Sequence, residues 1–482
     1  MTDLWNNEAA RPERDLERQF DLLAGDVRRR TTILVERAET AEDFDAYHRL
    51  RREVFVREQE LFDGTDRDDI DDVAERVVLV ARAEDGTIVG GVRIAPGQPD
   101  RDLAWWTGSR LVVDRDHRRA AHVGGELIIA ACAAAELLGA LRFEATVQRP
   151  RVNMFQRLGW QALGETVVAG APHERMRWPI GRVQRLVDAT KTSLGEILEG
   201  LQPGGSGWVG DDAAPVPGSD LMVACDAILP AMVARDPWWA GWCSVLVNSN
   251  DLAAKGAALV GLLDAIGART PSMARRIVTG IRDAADVWGV PVLGGHTTLN
   301  VEPSLAVTVL GRTPRPVPAS GARIGHDITF VADLAGSWRP GYEGRQWDST
   351  TARSATEIRQ LHATIEHLAP SAAKDVSMAG TLGTLGMLAE ANGCGAEFLI
   401  DAVPKPRDAG VADWVTCFPG FAMLTASPPT SDAQGRAAAA SGGLGSAAIC
   451  GRLVTGTGVD VVWPDGETIT VISGPVTNLG VA

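Results

Sequence analysis

The chain has few cysteines and no pairing among them. Six are scattered through 482 residues, at 132, 225, 243, 394, 417 and 450, and none forms a Cys-x-x-Cys pair. That spacing argues against a thiolate zinc site or a disulfide framework. No apolar run is long enough to cross a bilayer, so no membrane partner is expected. The first twenty residues, MTDLWNNEAARPERDLERQF, are charged and lack the apolar segment of a secretory signal. A cytoplasmic location is the resulting expectation. Basic charge is also in short supply: 47 Lys and Arg face 62 Asp and Glu, a formal net charge of −15. A non-specific nucleic-acid binder wants a basic face, so no nucleic-acid partner is expected. ATP or coenzyme A stays open, because local features hold those ligands.

What is present is enough apolar residue, 45%, for more than one core, and a length that calls for two or three domains. Arg76 to Ala83 and Thr87 to Ile94 read as strands of a hairpin turning at Asp85-Gly86. Ser109 to Val113 reads as a strand, Gly124 to Leu138 as a helix, and Leu141 to Val147 as the next strand. The acidic stretch Asp63 to Asp72 reads most simply as a solvated loop. The expected division is 1–180, a connecting helix and Gly-rich loop over 181–204, and two α+β halves over 205–320 and 321–482.

In the first domain, RLVVDRDHRRAAHVGGELI (Arg110 to Ile128) takes a strand through an arginine-bearing turn into a helix. Arg118 and Arg119 can neutralise phosphate oxygens, Gly124 and Gly125 permit close approach, and the helix N-terminus favours an anion. A basic turn before a helix is also often only a turn. Glu144, inside LRFEATV, is a candidate base because a strand interior tends to bury one face. With Asn153-Met-Phe-Gln-Arg-Leu-Gly-Trp160 following, this order of elements resembles the GNAT acetyltransferases. The resemblance implies a splayed mixed sheet binding acetyl-CoA, gripped by residues 112 to 125, Val113 among them, with Asn153 and Phe155 near the thiol. Two positions depart from the family: His122 occupies a turn glycine, and Phe155 stands where a tyrosine often serves as acid and has no proton to give.

In the second domain, WVGDDAAPV places Asp211 and Asp212 side by side. Alone, such a pair is equally an N-cap. Further along, Asp226 ends the strand LMVAC, Asn248, Asn250 and Asp251 belong to NSNDLAAKG, and Gly294 and Gly295 end an apolar strand in VPVLGGHTT. Lys374 and Asp375 precede a glycine-spaced helix. Strand-end carboxylates suit Mg²⁺, glycine N–H groups suit phosphate, and Lys374 suits a point charge on phosphates. In this order the blocks resemble the PurM-like ATP-binding superfamily, which includes aminoimidazole ribonucleotide synthase, thiamine-monophosphate kinase and selenophosphate synthetase. The resemblance covers about 190–480. It implies ATP held between two halves, Mg²⁺ on Asp211, Asp212, Asp226 and Asp251, and phosphates along Asn248, Gly294, Gly295, His296 and Thr297. It also implies a homodimer formed through the N-terminal half.

Departures again limit the likeness. His296 stands where thiamine-monophosphate kinases usually carry Asp, and Met378 stands where they carry a second aspartate. No cysteine with a nearby lysine precedes GDDAA, unlike selenophosphate synthetase; the closest lysine is Lys191.

The expected architecture is therefore α/β and α+β multidomain, a GNAT-like mixed sheet followed by a two-half PurM-like fold. The fusion resembles a bacterial family encoded near a nitrilase and a radical SAM protein, which suggests nitrogen-related metabolism. The expected function is ATP- and Mg²⁺-dependent chemistry on a small molecule, either phosphoryl transfer or amide or ring closure, joined to acetyl-CoA-dependent N-acylation. Lys374, Asp375 and Glu144 are the catalytic candidates. The alternatives are an acetyltransferase regulated by nucleotide and a non-catalytic binding protein.

Overall fold

Alternating apolar runs in the first 180 residues build one mixed sheet. The computed structural model describes residues 33–118 and 122–482. Among these, one compact unit extends to Arg182 and includes Gly410–Ala412, and the other comprises Val183–Ala409 and Asp413–Ala482. The first unit contains β1 (Ile33–Arg37), α1 (Ala41–Arg51), β2 (Val77–Ala83), β3 (Ile88–Pro96), β4 (Trp105–Val113), α2 (Val123–Leu137), β5 (Arg142–Gln148), β6 (Gln161–Val168) and β7 (Ala171–Trp178). Their order in the sheet is β1-β2-β3-β4-β5-β7-β6, with β4 and β5 parallel. The alanine-rich face of α2 packs with Leu79, Ile94, Phe143 and Trp160 in the core.

The acidic stretch is a loop as expected but only partly solvated: Asp63, Asp69 and Asp72 are exposed. Asp66 and Asp71 are buried, not solvated. Arg51 binds both carboxylates at 2.6 Å, Arg93 reaches Asp71 at 2.6 Å and Asp68 at 2.5 Å, and Arg110 reaches Asp68 at 2.8 Å. The partner arginines lie 15 to 42 residues away in sequence, so no local pattern announces them.

The second unit opens within α3 (Arg182–Thr190), followed by β8 (Ala214–Pro215) and β9 (Leu221–Ile228). There follow α4 (Pro237–Ala254), β10 (Ala258–Ala268), α5 (Pro271–Trp288), β11 (Val292–Leu299) and β12 (Ser304–Arg312). The sheet order is β11-β10-β12-β9-β8, with α4 and α5 on one face. The helices cross at Gly241 and Gly280, where a Cβ would fall 2.2 Å from the Ile277 carbonyl and 2.0 Å from that of Trp238. Only glycine allows that approach.

The remaining half contains β13 (Asp327–Ala332), β14 (Ser337–Trp338), β15 (Trp347–Asp348), α6 (Ala355–His362), β16 (Ala372–Asp375), α7 (Gly380–Ala391) and β17 (Gly395–Leu399). It ends with β18 (Ala422–Ser427), β19 (Ser446–Val454), β20 (Val459–Val462) and β21 (Thr468–Ile472). Seven strands form the order β16-β18-β13-β19-β17-β20-β21. The multidomain α/β and α+β expectation is met.

His362, at the end of α6, is packed against the rings of Trp288 and Phe421. Its Nε2 accepts the Trp288 indole N–H at 3.2 Å, and burial pushes its pKa down to about 3. An unfolded histidine titrates near about 6.5. The unfolded chain therefore binds the extra proton first, and this contribution to stability is present above pH 6.5 and lost as pH falls toward 3. Denaturant midpoints at pH 7 and 5 should show a smaller acid loss for His362→Gln than for the parent. Parallel losses would rule His362 out as the cause.

Candidate functional site

The second unit gathers five aspartates and two lysines from distant segments. The loop after Gly210 brings Asp211 and Asp212, β9 brings Asp226, α4 brings Asp251, and β16 brings Lys374 and Asp375. Of the eighteen residues of α4, sixteen are buried, including Ser244, Asn248, Ser249, Asn250 and Asp251. A buried helix with a polar stripe needs partners for that stripe. Asn248 supplies one set, since its Oδ1 accepts from the Asp226 N–H at 3.0 Å and its Nδ2 donates to Ser244 O at 2.8 Å. Asn250 donates to Gly420 O at 2.6 Å.

Lys255, one residue past α4, is fully buried. Its ammonium meets Asp211 at 2.5 Å and Asp212 at 3.2 Å, and donates to Ala373 O at 2.7 Å. Lys374 pairs with Asp212 and lies 3.8 Å from Asp211. Backbone donors complete the arrangement: Ala319 N–H to Asp211 at 2.7 Å and Asp375 N–H to Asp212 at 3.2 Å. The two aspartates of GDDAA therefore do not act as a helix cap; they anchor two buried cations. Lys374, expected as a point charge for phosphates, is already paired with carboxylate. Lys255 carried no sequence signal, because a lysine at a helix end ordinarily reaches water.

The charges do not balance beyond those pairs. Burial would raise the pKa of Asp212, but Lys255 and Lys374 outweigh it and hold the group below the usual carboxylate range. Burial, then Asp226 and Asp375, push Asp251 well above that range. Burial and Asp212 push Asp375 up to about 8. Asp226 lies on the accessible end of β9, yet enclosing protein and Asp212 raise it too. Oxygens of Asp212, Asp251 and Asp375 all lie within 4.8 Å of one another. Hard oxygen donors with surplus negative charge fit a divalent cation such as Mg²⁺. Of the four expected ligands, Asp212 and Asp251 join this group. Asp375, expected as a catalytic group, completes it, while Asp211 faces Lys255 and Asp226 stands beside it.

Gly294, Gly295, His296 and Thr297 lie elsewhere, on the edge strand β11. Gly295, Asp264, Val307 and Asp226 form one row across the sheet. Three inter-strand steps, roughly 14 Å along the sheet, therefore separate the glycines from Asp226. Gly295 makes room for Asp264, since a Cβ would fall 2.5 Å from that carboxylate.

In the first unit, Val113 ends β4, and Gly124 and Gly125 form the first turn of α2. His122 precedes them in a left-handed conformation, φ 51°. Arg118 donates to Val113 O at 3.1 Å and is held by Glu58 in a two-pronged ion pair. Arg119 lies outside the described residues. Asn153 is exposed on a short helix, Val152–Arg157. Phe155 is a core residue packed edge-on against Trp160, so its ring serves the fold. Glu144 is gripped by Arg142 at 2.9 Å and Arg177 at 2.6 Å, a structural pairing.

Comparison with known proteins assigns these pieces. Residues 210–313 match the AIR synthase related protein N-terminal domain, 351–464 its C-terminal domain, and 42–160 the GNAT acetyltransferase family. The Synechocystis sp. protein sll0787 is 33% identical over 228 residues, 46% of this chain and 70% of that protein. The thiamine-monophosphate kinase of Methanospirillum hungatei is 29% identical, over 45% of this chain and 78% of the kinase. T. maritima PurL complexed with ADP matches in structure with a TM-score of 0.51 at 16% identity, covering 63% of this chain and 52% of PurL. At that identity the likeness shows the fold alone. Among the described residues, no helix is long and apolar enough to cross a membrane.

Proposed function

The chain belongs to the AIR synthase related family and also carries a GNAT-family acetyltransferase domain, and from that premise we propose an ATP- and Mg²⁺-dependent enzyme acting on a small polar molecule. The observation that carries this reading is the surplus of buried carboxylate at Asp212, Asp251 and Asp375. Those three would hold Mg²⁺, with Asp226 alongside. When bound, the ion would offset the charge of the ATP phosphates. The protein's own part is to keep that site rigid. Lys255 and Lys374 fix Asp212, the Asp375 N–H orients its second oxygen, and Asn248 fixes the backbone at Asp226. Such fixed groups need little rearrangement as charge develops. Either phosphoryl transfer or ATP-driven amide or ring closure is served by this arrangement. The GNAT-like unit would N-acylate the same small molecule or its product from acetyl-CoA, with Val113, Gly124 and Gly125 against the coenzyme.

The homodimer belongs to the same proposal. On the β11 side of the sheet Leu263, Val292, Leu299 and Leu293 are exposed, the last at 55%. An apolar surface beside an open strand edge favours a second copy. That copy would bring its Gly294–Thr297 segment toward the aspartates that the single chain leaves distant from it. Light scattering should return twice the 51.1 kDa chain mass. A monomer at micromolar concentration would remove the dimer from the proposal.

Calorimetric titration of the full chain tests the function. ATP should bind with Mg²⁺ and much more weakly without it, and acetyl-CoA should bind independently. Binding of acetyl-CoA alone, with ATP silent under both conditions, would leave only the acyltransferase.

A further inference from the structure

The carboxylates of the metal site come from segments far apart in the chain: Asp375 and Asp212 meet across 163 residues. Magnesium tolerates little error in where its ligands stand. The helix that follows Asp375 is built to hold that spacing. α7 is buried along all twelve of its residues. Its glycines let neighbours approach closely; a Cβ on Gly386 would fall 2.5 Å from the Val476 side chain.

Near the end of α7 stands a group that packing alone does not call for. Glu390 is a buried carboxylate in the last turn of a helix, where the dipole disfavours negative charge. Among the described residues no ion pair engages it. Instead it accepts from the N–H groups of Val476 and Thr477 at 2.8 Å each, the Thr477 hydroxyl at 3.0 Å and the Gly480 N–H at 3.3 Å. The Thr477 hydroxyl oxygen in turn accepts from the Leu479 N–H at 3.2 Å. Residues 476–480 are thereby fastened to the helix end.

The fastened segment abuts the acidic loop. A Cβ on Gly210 would fall 2.7 Å from the Leu479 side chain, and Gly210 directly precedes Asp211 and Asp212. The same segment holds the chain ahead of that loop: Gly195 N–H donates to Thr477 O at 2.8 Å, and Asn478 donates to Thr192 O at 2.8 Å. A second arm leaves α7 just past its end. Asn392 donates to Ala319 O at 2.7 Å and accepts from the Ala322 N–H at 2.8 Å, and the Ala319 N–H is the donor to Asp211. One helix therefore follows Asp375 at its start and braces Gly210 and Asp211 from its end.

We propose that Glu390 is a positioning residue for the metal site: through residues 476–479 it holds the 210–212 loop at the spacing from Asp375 that a divalent cation needs. The assignment deepens the Mg-ATP function proposed above and rests on it. A buried group that served only the fold would change stability when replaced. One that positions ligands also sets metal affinity, where such outer partners are worth about 10–100-fold.

The test is calorimetry with ATP and Mg²⁺ on the full-length parent, Glu390→Gln and Leu479→Ala, each well below its own melting temperature. Amide exchange over residues 208–213 is followed alongside, in the protein without metal. Glutamine presents an amide where the carboxylate accepted, so part of the fastening is lost. Leu479→Ala leaves the bonds to Glu390 in place and removes the contact with Gly210. Both variants should bind Mg-ATP more weakly, Glu390→Gln by about tenfold or more, and both should exchange the loop amides faster. Folded variants that bind Mg-ATP as the parent does overturn the assignment, and Glu390 then serves stability alone. A parent that binds no Mg-ATP removes the underlying function and the positioning role with it, whereas a binding parent with unaltered variants removes Glu390 alone. Should Glu390→Gln fold poorly, Thr477→Val removes the hydroxyl between Glu390 and Leu479 and should lose affinity, while Thr477→Ser keeps that hydroxyl and should retain it. Equal Mg-ATP affinity in those two overturns the assignment as well.

Discussion

Lys255→Met is expected to destabilise the second unit by about 3–5 kcal/mol, the range for removing one partner of a buried ion pair. The lysine is fully buried and contacts Asp211, Asp212 and the Ala373 carbonyl. Methionine fills the volume but supplies no donor. Asp211 keeps its bond from the Ala319 N–H, but its nearest cation becomes Lys374 at 3.8 Å. Arginine should not rescue the loss, because a planar fork is larger than an ammonium and the site has no exposed margin. Denaturant unfolding followed by tryptophan fluorescence would measure the effect, since Trp239, Trp242 and Trp288 lie in the core packed on α4. A midpoint within error of the parent would mean that Lys255 is not the anchor described. The loss should also reach across the two halves of the unit. Lys255 ties α4 of the first half to β16 of the second, 118 residues further along the chain.

That separation explains what the sequence could and could not reveal. The hairpin of β2 and β3, the strand β4 and the helix α2 are local, and the Asp85-Gly86 turn and the alanine-rich run specify them without outside help. The order of acidic and glycine blocks was equally legible, because each block is contiguous. Which blocks meet was not. Lys374 reaches Asp212 over 162 residues, and nothing near either position says that they pair. GGHTT read as part of the same site as GDDAA, yet it lies on the sheet's far edge, because strand order places β10 and β12 between. The acidic run Asp63 to Asp72 departed in the opposite sense: rich in charge, it read as solvated, while Arg51, Arg93 and Arg110 hold Asp66, Asp68 and Asp71 inward and leave Asp63, Asp69 and Asp72 exposed. Glu144 was sound as a half-buried strand residue, but Arg142 and Arg177, one of them across the strand pair, decide its role.

Asp251→Asn should separate stability from function most sharply. In the protein without Mg²⁺, Asp251 is buried beside Asp226, Asp375 and Asp212, and like charges so placed oppose one another. Asparagine keeps the shape and removes a carboxyl that on folding must either hold a buried charge among its neighbours or take up a proton, each of which costs stability at neutral pH. The variant should therefore be more stable than the parent without metal, by on the order of 1–2 kcal/mol, as is common when a functional site is relieved of its strain. Mg-ATP binding should fall at least about 100-fold, because even the outer partners of metal ligands are worth 10–100-fold. Acetyl-CoA affinity should not change, which separates a lost site from a damaged fold. Two measurements decide it: thermal unfolding in EDTA and calorimetry with Mg-ATP. A variant less stable than the parent would show that Asp251 supports the fold through contacts other than charge. A variant that still binds Mg-ATP with parental affinity would take Asp251 out of the metal site and leave its burial beside three carboxylates without a functional cause. The expected pairing, greater stability with lost binding, is the signature of carboxylates held together against their own repulsion for the sake of a cation.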